Sequence, residues 1–131
     1  MKKIIYIFFG LSIILSCESR TTDIELLLKL SAQEINKMCP RTIDKDTQLD
    51  NVVVLSNKTI QYNYTLVNWE LEDLDLQAIE SDFFPLLLNR TKTNPGLSRF
   101  RDNKVTVNYY YADMDGKFVA LYEVTPQLYL D

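Results

Sequence analysis

Apolar and polar residues alternate most regularly at two places along this chain. Ile60, Tyr62, Tyr64 and Leu66 are interleaved with Gln61, Asn63 and Thr65. Successive side chains of a strand point to opposite faces, so this period of two predicts a strand with one buried face. The apolar, β-branched run Val52 to Leu55 precedes it, and Ser56-Asn57-Lys58 between them reads as a turn. Together they predict a hairpin. A second hairpin is signalled further on. Val105, Val107, Tyr109 and Tyr111 share one face, and Phe118, Ala120, Tyr122 and Val124 share one face of the return strand. Asp113-Met114-Asp115-Gly116 supplies the turn, since Asp-Gly favours the positive backbone angles that tight hairpins need. Pro126 terminates the return strand.

Helical spacing fills the intervals. A helix is predicted from Thr22, where Thr22 and Glu25 have the spacing of a capping box and Asp23 adds acidic charge to the first turn. Ile24, Leu27, Leu28, Ile35 and Met38 form its core stripe, widened by Leu26 and Leu30, and Pro40 ends it. Arg41 to Asn51 is polar and reads as loop with a short extended piece. Trp69 to Thr93 is helical in character, with Leu71, Leu74, Ile79, Phe83 and Leu87 on a broad face. A break is expected at Pro85, which would open a second short helix to about Lys92. Asn94-Pro95-Gly96 is a turn, and Leu97 to Asn103 connects to the last hairpin. The order helix, hairpin, helix, hairpin predicts an α+β domain, with helices on one face of an antiparallel sheet of about four strands.

The first seventeen residues belong to a different regime. Lys2 and Lys3 precede an apolar stretch, Ile4 to Leu15, interrupted only by Gly10 and Ser12. As a helix it would span roughly 18 Å, well under the ~30 Å of a bilayer core. A positive start, a short apolar run and a small residue are the order of a secretory signal. Ile14-Leu15-Ser16-Cys17 resembles the lipobox of bacterial lipoproteins, with an aliphatic residue three before the cysteine and a small one directly before it. Leu15 departs from the small residue commoner at its position. The resemblance covers residues 1 to 17. It implies cleavage after Ser16, a diacylglyceryl group on the Cys17 sulfur, and acylation of the new amino terminus. Residues 1–16 are then a cleaved signal peptide, 17–22 a lipidated cysteine and short tether, and 23–131 a single folded domain. The implied location is the bacterial cell envelope, with the outer membrane facing the periplasm as the default.

Charge narrows the partners. The chain of 131 residues carries a formal −4. Without Lys2 and Lys3, 12 basic residues face 18 acidic ones, a balance of −6. Such a domain gains nothing from a phosphate backbone, so nucleic acid is not an expected partner. Anionic lipid would also repel it, which leaves the lipid on Cys17 as the link to the membrane. There is no histidine, which removes histidine acid–base chemistry, Ser-His and Cys-His nucleophile pairs and most zinc sites.

The remaining candidates are few. Cys39, in Lys37-Met38-Cys39-Pro40-Arg41, reads as a small buried hydrophobe at a helix end, or as a reactive thiol between basic residues. The acidic run Glu70, Glu72, Asp73 and Asp75 reads as a solvated helix start. Asp113 and Asp115 with Gly116 partly resemble a calcium loop, but the hairpin turn explains them without a metal. Asn57, Asn63 and Asn89 head glycosylation sequons, of little weight in a bacterial lipoprotein. Tyr110 and the basic residues Arg99, Arg101 and Lys104 are candidate partner contacts; Arg90 and Lys92 belong to the same basic stretch. The function expected is a lipid-anchored, non-catalytic domain that binds a macromolecular partner, in assembly, inhibition or immunity, and needs no cofactor. The alternatives are a carrier of a small apolar ligand and a hydrolase using a carboxylate or Cys39.

Overall fold

A computed structural model describes residues 22–131. The signal-like segment and Cys17 lie outside them. The described chain folds as α+β: α1 (Asp23–Asn36), β1 (Arg41–Thr42), β2 (Thr47–Leu55), β3 (Thr59–Leu66), α2 (Leu76–Thr93), α3 (Ser98–Asp102), β4 (Thr106–Ala112), β5 (Phe118–Val124) and α4 (Pro126–Tyr129). One sheet holds all five strands in the order β1-β2-β3-β4-β5. It has one strand more than expected because Arg41 and Thr42, from the polar loop, pair with Leu49 and Gln48.

Both predicted hairpins form. The turn between β2 and β3 places Asn57 and Lys58 at φ 60° and 51°, the left-handed pair of a tight hairpin turn. The sheet is mixed rather than antiparallel, because β3 and β4 run parallel from Thr59↔Thr106 to Thr65↔Ala112. Parallel neighbours need a long crossover, and α2 with α3 supplies it. The helices share one face of the sheet. Their side chains join Ile60, Tyr64, Leu66, Val107, Tyr109, Tyr111, Tyr122 and Val124 in one core.

Three details depart from expectation for local physical reasons. α1 stops at Asn36, short of Pro40. Its carboxamide turns to the sheet, accepting from the Val52 N–H at 2.7 Å and donating to the Val52 carbonyl at 2.8 Å. Met38 lies beyond the helix and is exposed, and Leu26 and Leu30 are exposed within it, because α1 buries Leu28 and Ala32 instead. Second, α2 runs unbroken through Pro85, which lacks the N–H that would close on the Ser81 carbonyl. Leu87 and Thr91 beyond it and Phe83 before it pack on the same sheet, so tertiary contact holds both halves in line. Third, a register shift between Tyr111 and Ala112 turns Phe118 away from the core face. Phe118 meets Tyr110 on the opposite, helix-free face, with ring centroids 5.5 Å apart.

The turn before β5 is held by Asp113, a buried residue. Its carboxylate accepts from the N–H groups of Leu71, Asp115 and Lys117 at 2.8–2.9 Å. Burial would raise its pKa; the three donors outweigh this and hold it below the ordinary aspartate range. The bond from Leu71 ties this turn to the Leu71–Asp73 turn that precedes α2.

Candidate partner-binding groove

On the helix face, α1 and α2 leave the tyrosine layer of the sheet incompletely covered. Tyr62, Tyr64, Tyr109 and Tyr111 stack there, with centroid separations from 5.0 to 6.5 Å. α2 is fixed above them by the Thr91 hydroxyl, which donates to the Leu87 carbonyl and lies 2.9 Å from the Tyr109 hydroxyl. Burial raises the pKa of all four phenols; Tyr64 is pushed up to about 12, with the Arg90 guanidinium beside it partly offsetting that rise.

A groove follows α2 along this uncovered strip. At the amino-terminal end of α2 it widens to about 550 Å³ over Leu66, Trp69, Leu74, Ala78, Ile79 and Phe83. Asp44, Asp46, Asp73, Asp75 and Asp82 surround this end, with Lys45 the one basic residue among them. A narrower section of about 130 Å³ continues past Leu86, Leu87 and Tyr111 to Arg90, sharing Asp44, Thr47 and Phe83 with the first. A third section of about 310 Å³ shares Ile43, Tyr64 and Arg90 with the second, and adds Arg41, Tyr62, Asn94, Leu97 and Tyr109. These shared walls make one channel. From Asp75 to Asn94, the caps of α2, it extends roughly 28 Å at 1.5 Å per helical residue.

Two properties set the channel apart from the rest of the described surface. Large apolar side chains stand exposed along it: Ile43 and Trp69 at 42% and Leu86 at 67%. Some of its charges are also left without an ion pair among the described residues. The three ion pairs among the described residues are Lys37–Glu34, Lys45–Asp46 and Lys117–Glu72, so Arg41 and Arg90 have no carboxylate within 4.0 Å there. Of the aspartates, Asp75 caps α2, Asp46 meets Asn68 and Asp44 accepts from the Asp46 N–H, whereas Asp73 and Asp82 make no side-chain hydrogen bond. No three of the described His, Cys, Asp and Glu residues are grouped so as to hold a metal ion.

The candidate contacts read from the sequence are dispersed. Tyr110 lies on the helix-free face. Arg101 turns inward, its guanidinium donating to the Thr91 and Asn94 carbonyls at 2.9 and 2.7 Å, and so caps the end of α2. Arg99 lines a separate hollow between α1 and α3, and Lys104 sits in the turn before β4 at φ 54°. Cys39 is half-buried, its sulfur 3.4 Å from the Ile35 carbonyl. Burial pushes its thiol up despite Arg41 nearby. The groove itself escaped the sequence reading. Its one trace there was the acidic run Glu70, Glu72, Asp73 and Asp75, of which Asp73 and Asp75 line the groove.

A family profile for a domain of unknown function, DUF8479, matches residues 25–120. The chain belongs to this family. The matched span runs from the first turn of α1 into β5, and so contains the whole channel. No curated protein matches the sequence. Two solved structures share the fold. One is a candidate secreted protein from Pseudomonas aeruginosa, 14% identical, with a TM-score of 0.70 over 80% of this chain and 91% of that one. The other is a pilotin from the type 2 secretion system of Vibrio vulnificus, EpsS, 10% identical, with a TM-score of 0.63 over 81% of this chain and 91% of that one. Among the described residues no helix is long and apolar enough to cross a membrane.

Proposed function

We propose that this is a lipid-anchored protein of the bacterial envelope that seats a segment of a protein partner in the channel beside α2 and performs no chemistry. The observation that carries the docking part is the channel. It runs some 28 Å beside α2, is most apolar where the helix begins, and is edged by Asp73, Asp82 and Arg41, which the domain leaves without an ion-pair partner among the described residues. A fold of this size gains nothing from exposing Ile43, Trp69 and Leu86 together unless something covers them. Resemblance of residues 1–17 to a lipoprotein signal supports the anchor on Cys17. The pilotin and the candidate secreted protein support an envelope setting for the fold, here taken as the periplasmic side of the outer membrane.

Lipid and groove would divide the labour. Each buried CH₂ of an acyl chain contributes about 0.8 kcal/mol, so two or more chains hold the protein at the bilayer whatever its surface charge. The acidic domain then stands off anionic lipid and keeps its channel open to a protein partner.

The test has two arms. Labelled palmitate should enter the full-length protein in its host and be lost in Cys17→Ala. Incorporation that survives that change refutes the anchor. A photo-crosslinking residue at Leu86 in the anchored protein should give one discrete adduct, abolished by Ile79→Asp and kept in Tyr110→Ala. An adduct indifferent to Ile79→Asp would place the contact elsewhere and end the docking reading.

A further inference from the structure

The channel is electrically lopsided. Five aspartates and one lysine edge the end where α2 begins, and Arg41 and Arg90 edge the end where it finishes. Asp73, Asp82, Arg41 and Arg90 are all exposed and lack a salt-bridge partner among the described residues. Like charges gathered at one place, which the domain compensates only in part through Lys45 and the start of α2, cost the folded state a little repulsion that a complementary ligand would relieve. Between the ends, the floor is aromatic and aliphatic. A small ligand would satisfy one end only. A segment about 28 Å long reaches both, which corresponds to a helix of eighteen or nineteen residues.

From this we infer that the occupant is an amphipathic stretch of a protein partner with its charges separated. Basic side chains are gathered at the end that lies over the aspartates. Acidic side chains, or a terminal carboxylate, lie at the end that meets Arg41 and Arg90. The inference rests on the docking reading above and adds the partner's chemistry and its direction along α2. Electrostatic complementarity of this kind sets register and excludes wrong partners more than it adds affinity, so the apolar floor supplies the hold and the two ends supply the choice.

Three synthetic peptides of eighteen residues, sharing one Leu/Ala stripe, test it. One carries four Lys at one end and four Glu at the other, one carries Lys at both ends, and one carries Glu at both ends. Trp69 is the chain's single tryptophan and lines the channel at its acidic end, so its emission reports occupancy without a label. Calorimetry gives a second, independent affinity. At low salt the split-charge peptide should bind about tenfold more tightly than either uniform peptide, and its lead should fade by 0.5 M NaCl as screening shortens the range of the charges.

Charge exchange then locates the ends. Asp73→Lys with Asp82→Lys should move the preference to the Glu-ended peptide, and Arg41→Glu with Arg90→Glu to the Lys-ended one. Thermal unfolding of each variant beside the parent confirms that the fold persists. Equal affinity for all three peptides, preferences unmoved by either exchange, or no binding in both assays would each overturn the inference. If the Leu86 adduct nevertheless forms in cells, the docking reading stands and only the charge-separated partner falls. If the adduct also fails, both fall.

Discussion

Asn36 decides where α1 ends and what closes the free edge of β2. Its carboxamide makes two hydrogen bonds to one backbone unit, Val52, at 2.7 and 2.8 Å. β1 pairs with β2 only at Gln48 and Leu49, so it does not reach Val52. The Asn36 side chain therefore does the work of a missing strand at that point. Asn36→Ala removes both bonds, each worth about 1 kcal/mol net, and leaves a part-buried N–H and C=O without partners, at about 1–3 kcal/mol where water cannot reach them. Water reaches an edge in part, and alanine returns about 0.5 kcal/mol through its higher helix propensity. The expected loss is about 2 kcal/mol.

In urea, with a slope of about 1–1.5 kcal/mol/M for a domain of this size, the midpoint should fall by roughly 1.3–2 M with the slope unchanged. Asn89→Ala, an exposed position in α2, should move it by less than about 0.5 kcal/mol. Hydrogen exchange makes the reasoning specific, because the Val52 amide should gain more exchange than the global loss explains. A loss under about 0.5 kcal/mol for Asn36→Ala, or a Val52 amide that tracks its neighbours, would refute the view that this side chain substitutes for a strand.

Other outcomes follow from the same structure. Arg101→Gln should cost about 1–2 kcal/mol in a urea melt, because the guanidinium caps the last carbonyls of α2, while changing peptide affinity in the channel less than twofold. Loss of binding with unchanged stability would mark Arg101 as a contact instead. Cys39 should react with iodoacetamide at pH ~7 more slowly than a short cysteine peptide, and speed up only at alkaline pH, since burial raises its pKa and starves it of thiolate. Fast labelling at pH 7 would restore the reactive-thiol reading. Burial also raises the pKa of Tyr62, Tyr64 and Tyr111 above the ~10 of an unfolded chain. A raised folded value means stability that is intact below pH ~10 and declines above it, as the unfolded chain ionises first. Tyrosinate absorbance near 295 nm should therefore rise together with loss of helical circular dichroism, and ionisation of these phenols without unfolding would contradict the burial.

The strands were legible because period two is a local property. Tyr109, Tyr110 and Tyr111 show how far that goes. Alternation alone sends Tyr110 to the face opposite its neighbours, and it is there, against Phe118. Phe118 itself was misplaced, because a one-residue register shift reverses every side chain beyond it and leaves no mark in composition. The parallel pairing of β3 with β4 was hidden for a related reason. Which end of the sheet a strand enters depends on the crossover, not on the strand. Pro85 misled because its local cost is real but smaller than the packing of α2 on the sheet. The basic cluster misled differently. Arg99, Arg101 and Lys104 are neighbours in sequence and reach three different surroundings, one turned in to a helix end. Conversely Arg41 and Arg90, forty-nine positions apart in the numbering, line one section of the channel. A site built from such distant pairs has no sequence pattern to detect.

The two sheet faces also differ in what they leave for a partner. On the helix-free face the polar side chains answer one another. Gln61 donates to Asn63 at 2.9 Å, Asn63 to Asn51 at 2.7 Å, and Gln48 and Thr65 both reach Asp50. One oxygen there, Oδ1 of Asn108, is buried without a donor. A ligand arriving on that face would have to break bonds already made, and the gain on exchanging one hydrogen bond for another is small. In the channel the balance runs the other way. The tyrosine hydroxyl that faces α2 is taken by Thr91, but Arg41, Asp73 and Asp82 make no side-chain hydrogen bond or ion pair among the described residues, and the aromatic and aliphatic floor lies open. Covering it releases water and joins charges that have no rival partner, so the same area of contact is worth more beside α2 than across the open sheet. That difference, rather than the presence of a hollow, is the physical ground for assigning partner recognition to the channel.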